Sequence, residues 1–156
     1  VLFRSPVDIV FDGLSAKIQT VITFEEGSSR IDYRREILEI SDENEQIELH
    51  EYITACYGTT EYPEDMTGIT LTAKGTEVEK SIAYAYKNRT ETVTSVQSLS
   101  AVIPPIETRV TFGSREDAAG YITEGYAFSP MYTLGVKKQL GKGEVLSTWL
   151  SLQMES

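Results

Sequence analysis

Few residues in this sequence could do chemistry, and their spacing argues against most of it. His50 is the only histidine and Cys56 the only cysteine. Acyl transfer by a serine needs an imidazole beside the hydroxyl, yet no serine here sits in a nucleophile-elbow motif. His50 and Cys56 share strand parity with Tyr52 and Thr54 and would face one way. Six residues at ~3.3 Å each nevertheless separate them by ~20 Å, too far for a thiol–imidazole dyad. His50 reads as a structural residue of a half-exposed strand and Cys56 as a small buried apolar group. A lone cysteine also excludes an internal disulfide and a multi-cysteine zinc site. No run matches a phosphate-cradling Gly-rich loop followed by Lys-Ser/Thr, or the dinucleotide fingerprint, so the residues imply no cofactor.

Carboxylates and aromatics offer more. Glu61, Glu64 and Asp65 cluster around Tyr62-Pro63 in a long connection, and an oxygen-only set of this kind suits calcium better than zinc. A solvated acidic loop explains the cluster more simply, so no metal is expected. Hydrolysis of a glycoside needs two carboxyl groups facing across a cleft, and no such pair stands out. Glu51 does stand out, because it shares parity with Ile47, Leu49 and Ile53. A carboxylate on an apolar face is costly unless paired. Arg35 interrupts the preceding apolar row in the same way, so Arg35 and Glu51 are expected to form a structural ion pair across a hairpin. The stretch from Tyr121 to Tyr132 is rich in aromatics where strand alternation is weakest. Tyr121, Tyr126, Phe128, Met131 and Tyr132 are the candidates for a ligand-binding or docking patch, since aromatics and Met are enriched at interfaces. With Tyr52, Tyr57, Tyr62 and Trp149 they could form a sugar-stacking platform, or they could fill a core.

The elements that must position these residues are strands. Apolar residues alternate with polar ones from Leu14 to Phe24, Ile31 to Ile37, Ile47 to Tyr57, Val93 to Ile103, Ile106 to Phe112 and Val145 to Leu152, the period of a half-buried strand. The phase changes at Leu38 and Ile40, which predicts a β-bulge. Turn formers separate the rows at Asp12-Gly13, Glu26-Gly27-Ser28, Asp42-Glu43-Asn44, Lys74-Gly75, Lys87-Asn88-Arg89, Gly113-Ser114 and Gly141-Lys142-Gly143. The expectation is an all-β fold: an antiparallel two-sheet β-sandwich of about ten short strands with little helix. Asp42-Glu43-Asn44 reads as a hairpin turn, Pro104-Pro105 as a crossover between sheets, and Ser114 to Ala119 as one possible helical turn.

Size and charge set the outer limits. A chain of 156 residues can bury enough surface to fold without disulfides or metal. Lys and Arg number 14 against 24 Asp and Glu, for a net charge of −10. That field repels phosphate backbones and anionic lipid, so neither nucleic acid nor a membrane surface is expected as a partner. No apolar run reaches the ~20 residues of a membrane helix, and no signal-peptide pattern is present; the reading is a soluble chain of unassigned compartment. Val1 to Ser5 is also what the end of a common sequencing adapter would encode. Residues 1–5 are therefore expected to be a non-native, artefactual leader, and 6–156 one β-sandwich domain taken from a longer chain.

Two stretches carry a resemblance. Val136 to Leu150, VKKQLGKGEVLSTWL, and Phe24 to Tyr33, FEEGSSRIDY, resemble strand-and-turn segments of β-sandwich accessory domains in large carbohydrate-active enzymes. In such enzymes this domain supports an adjacent catalytic domain and carries no catalytic residues. The resemblance therefore implies a non-catalytic accessory domain of a larger bacterial enzyme, an adjacent domain of the same polypeptide as partner, and carbohydrate as a further partner class. The alternative is a stand-alone β-sandwich, or a lipocalin-like barrel, that binds a carbohydrate or a small apolar ligand.

Overall fold

The computed structural model describes residues 2–11, 13–56, 68–126 and 130–154, with side chains described over 13–55, 68–125 and 131–154. Among them the alternating rows become twelve strands. These are β1 (Leu2–Phe11), β2 (Leu14–Phe24), β3 (Arg30–Ile40), β4 (Ile47–Cys56), β5 (Thr70–Gly75), β6 (Glu79–Ala83), β7 (Arg89–Val93), β8 (Val96–Ile103), β9 (Thr108–Ser114), β10 (Ala119–Tyr126), β11 (Pro130–Leu140) and β12 (Val145–Met154). They form one sheet of eight strands, ordered β1-β2-β3-β12-β9-β8-β5-β6, and one of four, ordered β4-β11-β10-β7. Every pairing is antiparallel. Each sheet ends in two edge strands, so the architecture is a sandwich and not the lipocalin-like barrel. Six of the strands run to ten or eleven residues, longer than the short strands expected.

Local chemistry accounts for the turns. Phe11 pairs with Leu14, and Gly13 closes that two-residue turn at φ +81°, a conformation open to glycine at no steric cost. The expected bulge falls at Leu38. Ile18 pairs with Ile37 and Lys17 with Glu39, so Leu38 has no opposite number, and the extra residue lets both Ile37 and Ile40 face the core.

Three expectations about connections need correction. Asp42-Glu43-Asn44 does not close a hairpin, because β3 and β4 lie in different sheets. The Ser41 N–H donates to the Ser15 carbonyl, and the Asn44 N–H donates to Asp42 Oδ1. These bonds hold a bend that carries the chain out of the larger sheet. Pro104-Pro105 is not a crossover. It begins a 3-10 turn, Pro104–Ile106, within a hairpin of β8 and β9, and the prolines lack only N–H groups that a turn does not use. Ser114 to Ala119 forms no helical turn. Ser114 ends β9, Ala119 starts β10, and the Ser114 hydroxyl bonds Glu116 locally.

The core lies between the sheets. Leu71, Leu99, Phe112 and Leu146 from the larger sheet meet Ile122, Tyr132, Leu134 and Val136 from the smaller one, and all are buried. The smaller sheet packs over β5, β8, β9 and β12. The sheets are unequal, so the inner face of the larger one runs on through β3 and β2 beyond the strands that the smaller sheet covers.

Candidate functional site

Arg35 and Glu51 meet at the seam where the smaller sheet ends. Arg35 Nε donates to Glu51 Oε2, Nη2 donates to Oε1 at 2.9 Å, and Nη1 donates to Thr20 Oγ1 at 2.7 Å. The Glu51 side chain is 11% exposed and that of Arg35 30%. The two residues thus form a forked pair, which joins β3 of one sheet to β4 of the other and does not cross a hairpin. Beyond this pair the inner face of β2, β3 and β12 carries Ile22, Phe24, Ile31, Tyr33 and Leu150, all only partly buried, and the exposed Leu152.

The outer face of the smaller sheet holds a second feature. Register places Tyr52, Gly135, Tyr121 and Thr92 in one row across four strands, and Thr54, Thr133, Thr123 and Thr90 in the next. Tyr52 is 59% exposed. The Tyr121 ring lies across Gly135, where any Cβ would overlap it, so that glycine is what lets the ring lie down on the sheet. The His50 ring sits 6.2 Å from that of Tyr121, tilted by 55°. Partial burial, with Tyr52 alongside, raises the Tyr121 phenol above its ordinary range. In the threonine row, the Thr54 and Thr133 hydroxyls are 2.9 Å apart and those of Thr90 and Thr123 are 3.0 Å apart. No charged residue occurs in either row. Glu48, His50 and Lys137 lie toward one end of the same face, and His50 Nε2 is 2.6 Å from Glu48 Oε1.

The predicted patch is therefore divided by strand parity. Tyr121 lies on this outer face, as does Met131, whose side chain packs over Gly125. Tyr132 points the other way and is 2% exposed, so it fills the core and takes no part in a surface. The side chain of Tyr126, all of Phe128, the calcium candidates Glu61, Glu64 and Asp65, and Tyr57 and Tyr62 lie outside the described residues. Among the described residues no group of three His, Cys, Asp or Glu side chains could hold a metal ion, and no helix is long and apolar enough to cross a membrane.

Sequence reasoning missed Glu124. Its side chain is fully buried. Oε1 accepts the N–H groups of Ala85 (2.7 Å) and Lys87 (2.8 Å), and Oε2 accepts Arg89 Nε (2.9 Å) and Nη2 (2.7 Å). Burial pushes the carboxyl up, but the two backbone donors and the guanidinium outweigh it and leave it below its ordinary range. The residue between the two N–H donors, Tyr86, has φ +58°, so the carboxylate clamps a strained turn. The signal was available: Glu124 shares parity with the apolar Ile122, as Glu51 does with Ile53. On the outer face of the larger sheet Trp149 lies over Gly113, with the Arg30 guanidinium 4.8 Å from its ring. Asp32 accepts bonds from Arg30 and Arg115. Trp149 is thus held by Gly113 and Arg30, and this cluster braces the sheet.

These features define an antiparallel sandwich of eight strands against four. No family model matches the chain, and no curated protein sequence does. Among solved structures it is similar to the crystal structure of a protein named "Putative aldose 1-epimerase" from Escherichia coli K12. The TM-score is 0.57 and the identity 7%, and the match covers 96% of this chain and 68% of that one. The likeness is one of fold.

Proposed function

We propose that this chain is a non-catalytic accessory β-sandwich of a larger carbohydrate-active enzyme, docked on an adjacent part of the same polypeptide. The docking face is the inner surface of β2, β3 and β12 beyond the Arg35–Glu51 seam. The observation that carries this reading is the inequality of the sheets. It leaves Ile22, Phe24, Ile31, Tyr33 and Leu150 only partly buried, in one tract with the exposed Leu152. Contiguous apolar tracts of this kind mark contact sites. Covering what remains exposed of each would contribute roughly 1 kcal/mol. The fold neighbour supports such an occupant, since about a third of that chain has no counterpart here. Its name supports the carbohydrate connection.

The test uses the chain alone. It should bind a hydrophobic dye or self-associate as concentration rises, despite its net charge of −10. Ile22→Ser with Phe24→Ser should abolish both effects while the chain stays folded, with its strand signature in far-ultraviolet circular dichroism unchanged. A monodisperse, dye-silent chain at high concentration refutes docking through this face.

A further inference from the structure

We infer a second, independent binding site: the outer face of the four-stranded sheet takes a neutral polysaccharide chain. The ligand class follows from what the face offers. In a chain with 24 acidic residues, two adjacent rows spanning all four strands hold only tyrosine, threonine and glycine. A cationic partner would find no carboxylate in these rows, and an anionic partner would be repelled by the surrounding field. A purely apolar partner would have to desolvate a row of hydroxyls. A neutral polyol matches on every count. Its ring faces suit the Tyr52 and Tyr121 rings, and its hydroxyls exchange donors and acceptors with Thr54, Thr133, Thr123 and Thr90.

Geometry favours a polymer over a single sugar. Tyr52 and Tyr121 belong to strands two apart, ~10 Å between backbones, and the Tyr121 ring crosses Gly135 between them. A platform touches only one side of its ligand. One ring gains little against the freedom lost on binding, whereas successive rings of a chain add contacts without repeating that cost. Tyr52 is free to serve because so much of it is exposed, and Tyr121 is held in place by its glycine and by His50.

The experiment is native affinity electrophoresis of the purified chain in gels containing hydroxyethylcellulose, galactomannan, xyloglucan or polygalacturonate. At least one neutral polymer should retard the chain, and polygalacturonate should not. Tyr52→Ala should weaken retardation about tenfold, the loss typical of removing one aromatic anchor, with an unchanged melting temperature. Thr133→Asp should abolish it by placing a carboxylate in the row. Ile22→Ser with Phe24→Ser, which tests the docking face, should leave it intact. Equal migration in all four gels overturns the inference, as does full retardation of Tyr52→Ala or loss of retardation in the inner-face variant.

Discussion

Replacing Glu124 by alanine removes the acceptor of four hydrogen bonds at once. Two come from the N–H groups of Ala85 and Lys87 and two from the Arg89 guanidinium. An orphaned buried donor costs about 1–3 kcal/mol, and a buried ion pair broken from one side about 3–5 kcal/mol. Those costs do not sum here. Arg89 is 42% exposed, and residues 85 and 87 lie at the surface, so water can rehydrate part of what is lost. A loss of about 3 kcal/mol is therefore expected, which lowers the melting temperature of a chain this size by about 6–12 °C. Arg89→Met should cost less, about 1–2 kcal/mol, because the carboxylate keeps its backbone donors. Urea unfolding measures both, and hydrogen exchange adds a local readout: the Ala85 and Lys87 amides should lose protection in Glu124→Ala while the β8 amides keep theirs. The acid dependence has a definite sign. A carboxyl held below its ordinary range when folded stabilises the protein above the unfolded value, near 4.5. That stabilisation disappears as pH falls through the lower folded value. A Glu124→Ala loss below about 1 kcal/mol, the range of exposed ion pairs, would refute the clamp.

Other substitutions probe other parts of the account. Glu51→Ala leaves Arg35 at the seam with Thr20 alone and should cost about 1–3 kcal/mol by thermal unfolding, with Glu51→Gln recovering part of it. Gly135→Ala should displace the Tyr121 ring, visible as a change in near-ultraviolet circular dichroism. Phe112→Ala, at a fully buried position, should destabilise by about 3–5 kcal/mol, whereas Tyr52→Ala should be neutral because its ring is largely in water.

Strand identity was legible because period two is a local property. Even the bulge at Leu38 showed as a phase change, and Glu51 betrayed a cationic partner by standing in an apolar row. Pairing was not legible. β12 lies beside β3, and β4 beside β11, partners separated by about half the chain or more that no local pattern announces. The hairpin expected at Asp42-Glu43-Asn44 failed for this reason, since a bend that changes sheets uses the same turn formers as one that does not. The aromatic stretch misled in a related way. Tyr121 and Tyr132 are opposite in parity relative to their paired strands, so one lies on the surface and the other in the core. The threonine row is spread over four strands, and only their register reveals it.

The docking claim is tested most directly by carbene footprinting of the inner face, on the chain alone and within the longer polypeptide proposed to carry it. The account predicts that Ile22, Phe24, Tyr33 and Leu152 label strongly in the isolated chain and are protected in the longer one, while Tyr52 labels equally in both when no polysaccharide is present. Equal labelling of the inner face in the two samples, or a native polypeptide that ends with this sandwich, would contradict it.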